Sequence, residues 1–382
     1  MSTGFKPIID RQKDDILAYL EQLVKIESPS TDKNQVNLVI DTLERDYQEL
    51  GLNTRRIHQD EFGSHLVAET PRTDGPTVLL VGHADTVFPM GTLSTDMPFH
   101  RKGDTLYGPG VMDMKGGLTT MLFGVKALLE SQKSIRGNIR VVVNSDEEPG
   151  SPTSRPLWPE LAGDADWAFV FEWEPEQGAL LANRKGVGVF HLDFNGISAH
   201  AGAEPEKGAS AILAMVDKIQ KLNALNNFDI GTTLNVGVVS GGELPYVIAD
   251  KAKASIDIRV CNNSEQQRIQ RSLEEICSND NLPGTNCTLT GEFHRPPLEP
   301  IEATKELMAQ VEEVGHSLGQ DISWISAGAV SDANNISAAG VPTIDGMGPY
   351  GGRAHSPDEF MSIPSLFYKT TLIAGILKRL VG

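Results

Sequence analysis

Cysteine is scarce. Cys261, Cys277 and Cys287 are the only three in 382 residues, an odd count whose spacing fits no zinc knuckle, so neither a disulfide framework nor a cysteine-based metal fold organises the chain. All three are expected to be reduced, packing thiols. Basic residues are outnumbered, 33 Lys and Arg against 51 Asp and Glu, for a formal charge of −18. That balance excludes a nucleic-acid surface, which needs clustered Lys and Arg. No run approaches the ~20 apolar residues of a membrane span, and the opening MSTGFKPIIDRQKDD has no apolar core of the signal-peptide kind. Internal repeats and low-complexity tracts are absent too. The expectation is a soluble cytoplasmic protein that engages neither membrane nor nucleic acid. At roughly 100–200 residues per domain, two or three domains are expected.

What the chain does have is a stretch, residues 78–117, around which the rest is ordered. Val78, Leu79, Leu80 and Val81 form a short continuous apolar run, the mark of a strand buried on both faces, and it ends at Gly82. His83 and Asp85 follow, and residues two apart in an extended chain project to the same side. Asp113 lies in the glycine-rich YGPGVMDMKGG, after which Leu118, Met121, Leu122, Val125, Leu128 and Leu129 recur at helical spacing. The spacing also predicts helices over 16–24 and 36–47 and strands over 53–58, 65–69, 139–144 and 167–172. Such alternation suits an α/β domain, whose ligands bind beyond the carboxyl ends of its strands.

From about Gly186 the texture changes. A strand over 188–194, a helix over 209–225, strands over 233–240 and 252–260, a helix over 264–277 and a strand over 288–293 give the order β-α-β-β-α-β. That is the split βαβ, ferredoxin-like α+β unit. Proline-rich HRPPLEP marks its exit. Beyond it come a helix carrying Leu307, Val311, Val314 and Leu318, a strand over 322–325, a helix over 332–339, a strand over 341–344 and a final amphipathic helix over 365–380. The division expected is a discontinuous domain, 1–185 with 296–382, interrupted by an insert at 186–295.

Three strands of the first domain run into charge: His83 and Asp85, then Glu147 and Glu148 in SDEEPGS, then Glu172, with Glu174 a near alternative in FEWEPEQG. The loop DGMGPYGGRAHSPDEF adds His355. Mixed imidazole and carboxylate ligands suit zinc, with cobalt or manganese as substitutes. Asp113 is the natural bridge between two ions, which would sit roughly 3.5–4 Å apart around an activated water. A phosphate-loop reading of the glycine segment fails, since Lys115 is followed by Gly116 and not Ser or Thr.

Taken together, GHADTV, GPGVMDMKGG, SDEEPGS, the SAHAG of residues 198–202 and GRAHSPDE resemble the M20 zinc peptidases, above all the glutamate carboxypeptidase (carboxypeptidase G2) branch, with acetylornithine and succinyl-diaminopimelate deacylases as cousins. The resemblance covers nearly the whole chain. It implies a zinc-exopeptidase-like three-layer catalytic domain with a mixed sheet, and an inserted domain for dimerisation or lid closure that would make the protein a homodimer. It assigns His83, Asp113 and Glu172 to one zinc and Asp113, Glu148 and His355 to a second. Asp85 is then the residue that orients His83, and Glu147 the general base. A cis peptide is implied at Asp113-Met114. His200 would stabilise the oxyanion in the partner's site. Arg259, with Asn235 as its polar neighbour, would grip a substrate carboxylate, helped by backbone N–H groups of the 348–353 loop, Gly352 among them. A Glu at position 172 goes with carboxypeptidases and deacylases in this family.

The function expected is hydrolysis of a small-molecule amide or short peptide next to a free carboxylate, as in a C-terminal glutamate peptide or an N-acyl amino acid. A dedicated acetylornithine or succinyl-diaminopimelate deacylase is the alternative within the enzymes. A non-catalytic metal-binding scaffold is the alternative outside them.

Overall fold

The computed structural model describes residues 4–132, 134–279 and 281–382. The chain divides into two compact units. One comprises Met1–Asn183, Pro300–Ser326 and Ser331–Gly382; the other comprises Arg184–Glu299 with Ala327–Val330.

The first unit is built on a six-stranded mixed sheet in the order Asn53–Ile57, His65–Glu69, Asn138–Asn144, Thr77–His83, Trp167–Val170, Thr343–Ile344. The last four of these strands are mutually parallel, and His65–Glu69 runs antiparallel to Asn138–Asn144. Every residue of Thr77–His83 is buried, as a run of unbroken apolar residues requires when both faces of a sheet are covered. Val78 and Leu80 join one large cluster with Leu118, Leu122, Leu372 and Ile376, from the helices Gly117–Ser131 and Ile363–Val381. Leu79 and Val81 point the other way and are equally buried. Sheet between helices makes a three-layer α/β fold with a mixed sheet.

Several short elements carry no periodic signal. Gly351–Gly352, Phe360–Ser362, Thr105–Tyr107 and His100–Lys102 form a separate four-stranded sheet, and the unforeseen strand Ala179–Arg184 pairs with Ser323–Ala327, the strand expected over 322–325. The strand expected over 167–172 stops at Val170, so Glu172 lies two residues beyond it. Among the described residues no helix is long and apolar enough to cross a membrane.

The second unit has one antiparallel sheet, ordered Thr233–Gly241, Lys251–Val260, Gly186–Asn195, Asn286–Arg295. Ala252, Ala254, Ile256, Ile258 and Val260 are buried while the residues between them are not, the period-two pattern of a sheet with one covered face. The helices Ala211–Asn223 and Asn263–Ser278 pack on that face, and each is N-capped, Ser210 accepting from Leu213 N–H and Asn262 from Glu265 N–H. The open face and the edge strand leave Val238 and Val239 exposed.

Candidate metal centre

The parallel strands deliver their carboxyl ends side by side, with His83 in register with Asn144. His83 is buried, its Nδ1 2.9 Å from the Asp85 carbonyl oxygen. A carbonyl only accepts, so Nδ1 carries a proton, and the Nε2 position is the one a cation would take by displacing a proton. That Nε2 lies 3.3 Å from Asp113 Oδ1 and 3.7 Å from Glu172 Oε1.

Asp113 sits in a wide turn, Val111–Gly116, entered through Gly110 at φ 68°. A side chain at Gly110 would meet Thr86 Cγ2 at 2.7 Å, and a Cβ at Gly117, where the helix begins, would meet the Phe171 carbonyl oxygen at 2.1 Å. Glycine therefore lets the Asp113 turn press against the strand ends. Asp113 and Met114 leave helical geometry, at φ −108° and −133°, and the peptide between them is cis. One oxygen of the buried Glu359 accepts the N–H groups of Met112 and Asp113, at 2.9 and 3.2 Å.

The other oxygen of Asp113 faces His355, with Oδ2 3.2 Å from Nε2. The same nitrogen is 3.3 Å from Glu148 Oε2. His355 is exposed and held at φ 61° in its loop. Glu147 completes the arrangement: one ligand atom from each of His83, Glu147 and Glu172 lies within 4.8 Å of the others, as does one from each of His83, Asp113 and Glu148.

Asp85 ties these pieces together. Fully buried, it accepts Ser30 Oγ at 2.7 Å and the N–H groups of Glu147 and Glu148, both at 3.2 Å. Asp146 braces the same turn, accepting the backbone and hydroxyl groups of Thr153 and Ser154 over 2.6–3.1 Å. Glu174 belongs elsewhere. It accepts Gly178 N–H at 2.6 Å and Ser365 Oγ at 3.1 Å and pairs with Lys369 at 3.4 Å, whereas Glu172 faces His83.

Burial opposes a charge on His83, but its contacts with Asp113 and Asp85 hold its pKa well above the imidazole range. Hydrogen bonds that His355 donates to Asp113 and Glu148 push its pKa up to about 10. Burial raises Asp113, yet His355 and His83 outweigh it and hold the carboxyl below its usual range. Glu148 and Glu172 are raised, both by burial and, after that, with Asp113 adding its charge. Glu359 is pushed up to about 8 by burial and the charge of Asp113.

Crowded carboxylates that repel one another and imidazoles that hold protons fit a site made for cations. Two ligand atoms about 2.0–2.1 Å from one tetrahedral zinc stand about 3.3 Å apart, and His83, Asp113, Glu148 and His355 present N–O separations of 3.2–3.3 Å. Glu148 Oε1 is buried with no hydrogen-bond partner among the described residues, a further oxygen that could serve as a metal ligand.

The remaining expected residues lie outside this cluster. Gly352 is in the small sheet opposite Phe360, whose ring leaves no room for a Cβ. His200, Asn235 and Arg259 belong to the second unit. Nδ1 of His200 accepts the N–H groups of Gly202 and Ala203 at 3.2 and 3.1 Å, which puts its proton on Nε2. Arg259 forms a two-point contact with Asp257, at 3.0 and 3.1 Å, beside Asn235 in the sheet register. Ser30 and Glu359 were not singled out by the sequence reading. Ser30 reads only as part of a helix-ending Ser-Pro-Ser, and Glu359 only as a polar residue four positions after His355.

Residues 79–379 match the profile of the family described as Peptidase family M20/M25/M40. The chain belongs to that family. It is 28% identical over 372 residues to carboxypeptidase G2 of Pseudomonas sp. strain RS-16, covering 95% of this chain and 88% of that one. It is also 28% identical over 326 residues to the succinyl-diaminopimelate desuccinylase of Gluconacetobacter diazotrophicus, covering 81% and 82%. Among solved structures, aminopeptidase PepT from Bacillus cereus superposes with a TM-score of 0.80 at 21% identity, over 96% of this chain and 98% of that one. YXEP of Bacillus subtilis, described as a dinuclear metal binding peptidase of family M20, gives 0.71 at 14% identity, over 97% and 98%. At those identities the structures speak for the fold. This M20 chain is thus a hydrolase of the metallopeptidase kind, with a cluster of candidate metal ligands.

Proposed function

We propose that this M20 hydrolase is a co-catalytic dizinc enzyme that cleaves an amide or peptide bond next to a free carboxylate, of the C-terminal glutamate or N-acyl amino acid type. The observation that carries the reading is Asp113, whose two oxygens face two different imidazoles at 3.3 and 3.2 Å. His83 and Glu172 would hold one ion with it, and Glu148 and His355 the other. When bound, the pair of cations supplies polarisation of the scissile carbonyl and acidification of a water.

Glu147, half-buried at the rim, takes the proton of the attacking water and returns it to the leaving amine. Asp85 fixes the His83 tautomer and, through two backbone N–H groups, the place of Glu147. His200, with Nε2 as its donor nitrogen, is the proposed oxyanion ligand, working across a homodimer formed through residues 186–295; the exposed Val238 and Val239 on an edge strand favour such pairing. Arg259 is the proposed carboxylate grip, its fork held ready by Asp257.

The test is Glu147→Gln. Turnover should fall at least about 100-fold while two metal ions per chain are retained; loss of an ion instead would make Glu147 a ligand. Mixing Glu147→Gln with His200→Ala subunits should restore part of the activity if His200 serves the partner's site. A panel of acyl-amino acids and dipeptides separates a broad carboxypeptidase from a dedicated deacylase, the alternative favoured by the likeness to a desuccinylase.

A further inference from the structure

The wide turn that presents Asp113 cannot satisfy its own backbone. Val111 N–H reaches Gly108 O at 3.2 Å and Lys115 N–H reaches back to Gly110 O at 2.9 Å, which leaves the buried N–H groups of Met112 and Asp113 without a carbonyl partner inside the turn. Glu359 provides one oxygen for both, at 2.9 and 3.2 Å, from 247 and 246 residues away in sequence. Glu359 is itself fixed to the other ligand segment: its own N–H donates to Ser356 O at 3.1 Å, closing the turn that follows His355. One side chain therefore joins the backbone beneath Asp113 to the loop carrying His355.

Its surroundings suit that task. Glu359 is 0% exposed, and one of its carboxyl oxygens accepts both N–H groups, which water cannot reach to satisfy. Lys115, 1% exposed and on the same turn, donates to Ile26 O at 2.6 Å. No water is needed to complete the pair of bonds, and neither metal-facing oxygen of Asp113 is used up by them.

We propose that Glu359 is a positioning residue of the metal centre, a clamp that sets Asp113 and His355 in register so that two cations bind as a pair and not singly. The inference rests on the dizinc reading above. With the clamp intact, placing one ion also places the ligands of the second. Without it, the Asp113 turn and the His355 loop move independently, and the second ion binds more weakly.

The experiment titrates metal-free protein with Co2+, following the visible d–d bands and isothermal heats, for wild type, Glu359→Ala, Glu359→Asp and Glu359→Gln. Wild type should take up two ions per chain. Glu359→Ala should bind the second at least about tenfold more weakly, in line with the 10–100-fold effect of removing groups that orient ligands, with altered d–d bands. Glu359→Gln keeps the acceptor oxygen without the charge and should recover most of the wild-type spectrum, which a general loss of stability would not reproduce. Should Glu359→Ala fail to fold, Glu359→Asp, one methylene short, serves as the weakened clamp. Two ions bound by every variant with wild-type affinities and spectra would overturn the clamp. Fewer than two ions bound by wild type would instead overturn the dizinc reading.

Discussion

Replacing Glu174 by Gln separates a carboxylate that braces the centre from one that belongs to it. Glu174 is 1% exposed and Lys369 0% exposed, and their charged atoms are 3.4 Å apart. Even with Glu174 alongside, burial pushes the Lys369 ammonium down to about 8. Gln keeps the shape and can still accept from Gly178 N–H or Ser365 Oγ, but it withdraws the opposing charge. Breaking a buried pair by removing one member costs about 3–5 kcal/mol; the hydrogen bonds that Gln retains place this variant near the lower end, about 3 kcal/mol. At roughly 2–4 °C per kcal/mol for a unit of this size, Tm should drop by about 6–12 °C. Glu174→Gln combined with Lys369→Met removes both buried charges and should recover most of that loss. Calorimetry of the metal-free protein, with metal content of the loaded protein measured in parallel, reads both sides of the claim. Glu174→Gln should keep its metal, and Glu172→Gln should lose an ion. A drop in Tm below about 2 °C, or metal loss from Glu174→Gln matching that of Glu172→Gln, would refute the assignment.

Two further outcomes follow from the hydrogen bonds and charges of the centre. Below their raised pKa values, with His355 at about 10, the two imidazoles hold protons that a cation has to displace, so metal affinity should climb with pH between about 6 and 9, up to tenfold per unit for each proton released. Stability of the metal-free protein runs the other way: the contribution of His355 is complete below its ordinary 6.5 and is lost as pH rises through about 10. Competition with a chelator and melting curves at each pH check the pair, and an affinity flat with pH would mean that the imidazoles are already neutral. Ser30→Ala removes the hydroxyl 2.7 Å from Asp85; kcat should fall about tenfold, with metal content and KM little changed, because the loosened Asp85 releases the Glu147 turn. An unchanged kcat would show that the two backbone N–H groups suffice to hold Asp85.

Much of this arrangement was legible before any coordinates. Unbroken apolar runs such as Val78–Val81 read as strands covered on both faces, and the acids that follow such runs then share the edge where parallel strands end. The strand Lys251–Val260 of the second unit could be read from its strict alternation, as at Ala252, Ala254, Ile256 and Ile258. The small sheet around Tyr107 and Phe360 escaped because strands of two or three residues are too short to show a period. The different surroundings of Glu172 and Glu174 could not be read locally, since the partner of Glu174 is a lysine in the last helix, Lys369, some two hundred positions away. The bracing by Ser30 and Glu359 was invisible for the same reason: a hydrogen bond to a distant backbone leaves no local pattern. Arg259 had two readings in sequence, and the fork it makes with Asp257 shows how a sheet can hold a guanidinium without committing it.

The two imidazoles of the centre differ sharply in their access to solvent. The His83 side chain is 2% exposed and that of His355 54%. On the proposed two-ion reading, ions on the two sides should therefore trade with solution at unequal speeds, the one beside His355 leaving first under a chelator. Brief stripping followed by refilling with a second metal would then give a hybrid enzyme, in which each position reports its own spectroscopic signal.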